Sequence, residues 1–176
     1  FTGSGVDEVI ITGSLLGGAT VRLDNSGSGE EAADSITIGD ISSGVVYGES
    51  GADTFNISGD AVSASIYGGG QNDSVTIAGT LSSALLEGAE GTDFFKVSNL
   101  TKSTVKGGAD ADLFSATGLL TSGLLYGNSG NDSIEVVGAA TNTSVYGGVG
   151  NDSVTIKGVA NTLTYEGGLG ADTIKL

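Results

Sequence analysis

The chain has 176 residues, of which 38% are hydrophobic and 32 are Gly, and it lacks Cys, His, Met, Pro and Trp. Six Lys and Arg face 21 Asp and Glu, a net charge of -15 that disfavours nucleic acid and anionic membrane surfaces. The absence of Cys excludes disulfides, the absence of Cys and His disfavours zinc and copper sites, and no apolar run reaches the ~18 residues of a membrane span.

Along the chain an Asp recurs after a glycine-rich turn: Asp7, Asp34, Asp53, Asp73, Asp93, Asp112, Asp132, Asp152 and Asp172. After Asp34 the spacings are 19, 20, 20, 19, 20, 20 and 20; the first is 27, with about seven extra residues in or near NSGSGEEAAD. A period near 20 is the signature of a solenoid. Two residues after each Asp stand Val9, Ile36, Phe55, Val75, Phe95, Phe114, Ile134, Val154 and Ile174, and four after it an apolar residue again, from Ile11 to Leu176. The residue between them is mixed, as at Thr37, Asn56, Lys96 and Glu135. This alternation predicts a strand with one buried face.

Gly or Asn follows (Gly59, Gly79, Asn99, Gly118, Gly138, Gly158), marking a turn. A second short strand closes each copy, with Val46, Ile66, Leu86, Val105, Leu125, Val145 or Tyr165 next to last. The reading is all-β: one flattened parallel β-solenoid domain over residues 1–176, about nine coils of 19–20 residues with two facing parallel sheets. An irregular insertion is expected near residues 24–33. The absence of Met, and of any visible capping helix or polar end, reads as a fragment of a longer chain or a subunit whose coils stack end to end.

The turns before the Asp read GESGAD, GGGQND, GAEGTD, GGADAD, GNSGND, GGVGND and GGLGAD. A purely structural reading gives the glycines positive φ and the Asp a local backbone bond. It leaves the column unexplained, because carboxylates stacked about 4.8 Å apart repel unless counter-ions sit among them. Calcium suits such a column, since it takes six or more oxygens and glycine turns can present carbonyls to it; Mg2+ sheds water reluctantly.

These turns resemble the hemolysin-type (RTX) calcium repeat, GGxGxDxUx, a β-helix signature. The resemblance covers nearly the whole chain and implies Ca2+ between successive turns, held by backbone carbonyls and by carboxylates of both coils. The implied ligand set is Asp53, Asp73, Asp93, Asp112, Asp132, Asp152 and Asp172, with Gly48, Gly51, Gly68, Gly69, Gly88, Gly91, Gly107, Gly108, Gly127, Gly130, Gly147, Gly148, Gly150, Gly167, Gly168 and Gly170. The chain departs from the family in carrying the motif on one edge only: opposite turns such as GTLSSA and GAATNT have no Asp column. About six ions are therefore expected along one edge, between Asp53 and Asp172, and sites flanking Asp34 are not expected because that turn has lost most of its glycines. Glu49 and Ala89 stand where the motif has its second glycine, and Gln71 and Asp110 where it has a later one.

Tyr47, Tyr67, Tyr126 and Tyr146 end their copies, with Glu87 and Lys106 at the same place in the two copies between. They read as an outward stacking ladder with one ion pair, or more sharply as a glycan-binding strip. NIS, NLT and NTS at Asn56, Asn99 and Asn142 match a glycosylation pattern that arises readily by chance, and GVGNDS lacks the Lys of a phosphate loop.

The acids outside the column and the bases Arg22, Lys96, Lys102, Lys106, Lys157 and Lys175 form no convergent cluster, so no enzyme is expected. The chain also resembles ice-binding adhesin repeats, but the turn columns flanking the last glycine carry no rank of Thr, which disfavours ice binding. The expectation is a calcium-stiffened structural module of a surface-layer, fibril or adhesin protein, extracellular or on the cell surface, exported by a type I-like route. The alternatives are a calcium-dependent glycan-binding face and a non-catalytic appendage of a secreted enzyme. Expected partners are Ca2+, the chain itself and surface glycans.

Overall fold

The computed structural model describes residues 5–24 and 32–176; most of the insertion expected near 24–33 lies outside these residues. The protein is an all-β parallel solenoid, with no helix among the described residues. Each coil begins with a strand immediately after its Asp, as in Thr54–Ile57, Ser74–Ser82, Phe94–Thr101 and Ser133–Val136. It ends with a strand that runs into the next glycine turn, as in Val45–Ser50, Ser65–Gly70, Leu85–Ala89 and Leu124–Ser129. Strands pair in parallel with their equivalents in the coils above and below. One ladder aligns Val9, Ile36, Phe55, Val75, Phe95, Phe114, Ile134, Val154 and Ile174. The other aligns Val21, Val46, Ile66, Leu86, Val105, Leu125, Val145 and Tyr165. From Ile36 to Val154 the first column is at most 5% exposed, and from Val46 to Val145 the second is at most 3% exposed, so the two facing columns are the core.

The far turn holds more structure than its Ser, Thr and Gly content suggests. Beyond it a third, short ladder aligns Leu15, Ile41, Ala61, Leu81, Leu100, Leu120, Ala140 and Ala160. Ile41, Ala61, Leu81, Leu100, Leu120 and Ala140 in that ladder are buried. The chain then bends through a left-handed residue (Ser43, Ser63, Ser83, Lys102, Ser122, Asn142 and Thr162, φ between 49° and 59°) to enter the second strand. A third inward column closes the end of the cross-section that two sheets alone would leave open.

The 19-residue coils lose their residue at this same corner. Val97 pairs 20 residues back with Ile77, while Asn99 pairs 19 back with Thr80. Likewise Ile38 pairs with Ile57, whereas Ile41 pairs with Ala61. The shortfall is absorbed far from the glycine turns, which keeps every Asp in register with its neighbours.

Candidate metal centre

Residues that alternate in a strand point to opposite faces, and each Asp sits two residues before an inward Val, Ile or Phe, so it too turns inward. Asp34, Asp53, Asp73, Asp93, Asp112, Asp132 and Asp152 are all at most 5% exposed, and Asp172 is half-buried. They form one continuous hydrogen-bonded column. The amide of each Asp donates to Oδ1 of the Asp in the following coil, at 2.7 Å from Asp7 to Asp34, 2.8 Å along the middle, and 2.9 Å from Asp152 to Asp172.

The other carboxylate oxygen is left over. Oδ2 of Asp34, Asp53, Asp73, Asp93, Asp112, Asp132 and Asp152 is buried and has no hydrogen-bond partner among the described residues. An unsatisfied buried carboxylate oxygen is costly, and a row of them is not found without compensation. Burial accordingly pushes the carboxyls up: Asp53, Asp93 and Asp112 to about 7, Asp73 to about 8 and Asp132 to about 6. Asp152 rises for the same cause. The amide bond to each carboxylate opposes the shift, while the charge of an adjoining acidic residue adds to it at Asp53, Asp73, Asp112, Asp132 and Asp152.

The glycines divide into two kinds. A β-carbon on Gly48, Gly68, Gly88, Gly107, Gly127 or Gly147 would collide with Oδ2 of the Asp five residues on and with the carbonyl of the equivalent glycine in the next coil. On Gly167 it would meet Asp172. None of these has positive φ, so they are glycines for the space they leave beside the carboxylate. The second and fourth turn positions need the left-handed region instead. Gly69, Gly108, Gly148 and Gly168 occupy it at the second position, and Gly51, Gly91, Gly130, Gly150 and Gly170 at the fourth. The departures from the motif keep this backbone: Glu49 at φ 78°, Ala89 at 92°, Asn128 at 78°, Gln71 at 69° and Asp110 at 69°. The turn conformation is thus uniform in the seven turns that lead to Asp53 through Asp172, although their sequence is not.

The residues fit a hard cation. Buried anionic oxygen, glycine-made space and the absence of His or Cys suit calcium, and the cation would supply the charge that the Oδ2 row lacks. A small cavity between two rungs is lined by Gly107, Asp112, Gly127 and Asp132, with Phe95 and Phe114 against it. Among the described residues no three acidic side chains converge on one point, so such an ion must take much of its coordination from backbone carbonyls.

Asp34, which the repeat spacing places in the column, is bonded on both sides despite its eroded turn. One feature escaped the sequence reading. In that turn Leu23, fully buried, aligns with Gly48 of the next coil, and Asp24 beside it is 3% exposed. Asp24 adds negative charge near Asp53. Its only sequence signal was an Asp next to an insertion.

No family model and no curated relative matches this chain. Among solved structures it is similar to a hyperactive, Ca2+-dependent, β-helical antifreeze protein from an Antarctic bacterium. The TM-score is 0.76 at 22% identity, covering 98% of this chain and 62% of that one. The protein described here therefore shares a β-helical fold with that structure and spans less than two thirds of its length.

Proposed function

We propose that the chain is a calcium-binding structural repeat module, non-catalytic, extracellular or on the cell surface, folded and stiffened by a row of Ca2+ ions along its glycine edge. The observation that carries this is the column of buried Asp side chains whose Oδ2 atoms have no hydrogen-bond partner among the described residues. Asp53, Asp73, Asp93, Asp112, Asp132, Asp152 and Asp172, with carbonyls of the intervening turns, would hold about six ions. Asp34, bonded into the same column, extends the row by one rung. Binding of metal to a folded site that the unfolded chain lacks becomes folding free energy, which suits a protein that must fold after export into millimolar calcium. Surface layers, fibrils and adhesins are the settings in which a rigid rod of this kind serves.

Isothermal titration tests the reading: several Ca2+ bound per chain, with Mg2+ unable to displace them, supports it, and at most one bound ion refutes it. The antifreeze activity belongs to the similar structure. Here the paired turn positions read Ser50/Ala52, Gly70/Asn72, Glu90/Thr92, Ala109/Ala111, Ser129/Asn131, Val149/Asn151 and Leu169/Ala171, with no rank of Thr, so a thermal-hysteresis assay is expected to give no activity. The tyrosines do not favour a glycan strip. Tyr47 stacks on Tyr67 at 5.0 Å and Tyr126 on Tyr146 at 4.9 Å, so one face of each ring is closed to a sugar by its neighbour.

A further inference from the structure

The outer face of the second sheet carries one column whose order is not that of a simple ladder. Parallel register aligns Arg22, Tyr47, Tyr67, Glu87, Lys106, Tyr126, Tyr146 and Glu166 in successive coils. The column thus reads cation, Tyr, Tyr, Glu and then repeats the same four. At its centre Lys106 donates to Glu87 at 3.3 Å, and at one end Arg22 lies over the Tyr47 ring, 4.1 Å from its centroid, and pairs with Glu49. The tyrosines and both central charges are half-buried and face outward. Val45, Leu85 and Leu124 flank the column on the same face.

Reversing this order exchanges every cation for a Glu and every Tyr for a Tyr. We propose that the face is a dimer interface, joining two copies antiparallel about a two-fold axis that passes between Glu87 and Lys106. Such an interface is self-complementary: Glu87 meets the partner's Lys106, Arg22 meets the partner's Glu166, and the tyrosine pairs pack on one another. A parallel dimer about the solenoid axis would instead set Arg22 against the partner's Arg22 and Glu87 against the partner's Glu87, which repel. The column itself holds Arg22 and Lys106 against Glu87 and Glu166, so it is balanced in a chain of net charge -15. Copies can therefore approach here more readily than at the acidic edge. Eight rungs and three alternate positions span roughly 600–700 Å² per copy, the lower end of stable interfaces, so the dimer dissociates on dilution.

Sedimentation velocity over a concentration series in calcium buffer tests this. Wild type is expected to show a monomer–dimer equilibrium. Glu87→Lys and Lys106→Glu alone are each expected to weaken it at least tenfold, and mixing the two variants to restore it, because each then faces the other with opposite charge. Circular dichroism checks that both variants keep the wild-type fold. Ser65→Cys mixed with Leu124→Cys is expected to be joined by a thiol-reactive bifunctional reagent with a spacer of about 10 Å, whereas Ser65→Cys alone is not, because antiparallel register sets these two rungs opposite each other across face-packed sheets. A protein that is monomeric up to millimolar concentration, a dimer indifferent to both reversals, or a mixture that fails to restore pairing overturns the proposal.

Discussion

Stripping the metal should invert the usual response of the protein to acid. In the metal-free fold the Asp73 carboxyl is raised from 3.8 to about 8, and those of Asp53, Asp93 and Asp112 to about 7, chiefly by burial. A group whose folded value lies above its unfolded value stabilises the fold fully below the unfolded value. That stability is lost as pH rises through the folded one. The window runs from about pH 4 to about pH 7 for Asp53, Asp93 and Asp112 and to about pH 8 for Asp73, with a slope of about 1.4 kcal/mol per pH unit within it. Between pH 5 and pH 7 that is about 2.5 kcal/mol per rung, so four rungs together reach the 5–15 kcal/mol that holds a typical domain folded. Mutual coupling makes the rungs less than additive, but the direction is common to all. Metal-free protein should therefore have its highest thermal midpoint at or below about pH 4 and lose its β-structure by about pH 7.5. Saturating calcium should reverse the slope, because only ionised carboxylates bind it. Thermal melts by circular dichroism in EDTA and in calcium across this range measure both slopes. A metal-free midpoint that rises or stays flat from pH 5 to pH 8 refutes the reasoning.

Other substitutions separate the parts of the coil. Gly88→Ala pushes a methyl group into Asp93 Oδ2 and the Gly107 carbonyl, and should cost about 2–4 kcal/mol and lower the bound calcium count, read by denaturant melts and titration. Ala89→Gly relieves a left-handed φ of 92° and should stabilise the protein by about 1 kcal/mol in the same melts. Leu81→Ala empties the third inward column and should cost about 2–5 kcal/mol, while Ser82→Ala beside it stays within about 0.5 kcal/mol.

The sequence makes the repeated features legible and hides those that occur once. The strand after each Asp, its inward Val, Ile and Phe, and the carboxylate column follow from period and alternation, because each coil repeats the same local physics. The third ladder was missed because its inward Leu81 and Leu100 lie among Ser, Thr and Gly that look like plain turn. A single buried residue there shows no alternation, although the column at 20-residue intervals was available. The placement of the missing residue in the short coils could not be deduced from spacing, since a deletion at any corner gives the same period. Loss of glycine was a poor guide to loss of conformation: Ala89 and Glu49 adopt the turn backbone because coils above and below enforce it. For the same reason Asp34 stays in the ladder when its own turn has eroded. The ion pair expected between Glu87 and Lys106 is present.

Calcium-driven folding is tested most directly by far-UV circular dichroism at pH 7.5 during calcium titration and EDTA reversal. The expected result is a β-spectrum that appears as calcium is added and collapses when EDTA removes it. Full, unchanged β-structure in protein stripped of every ion would contradict the claim that metal compensates the buried Asp column.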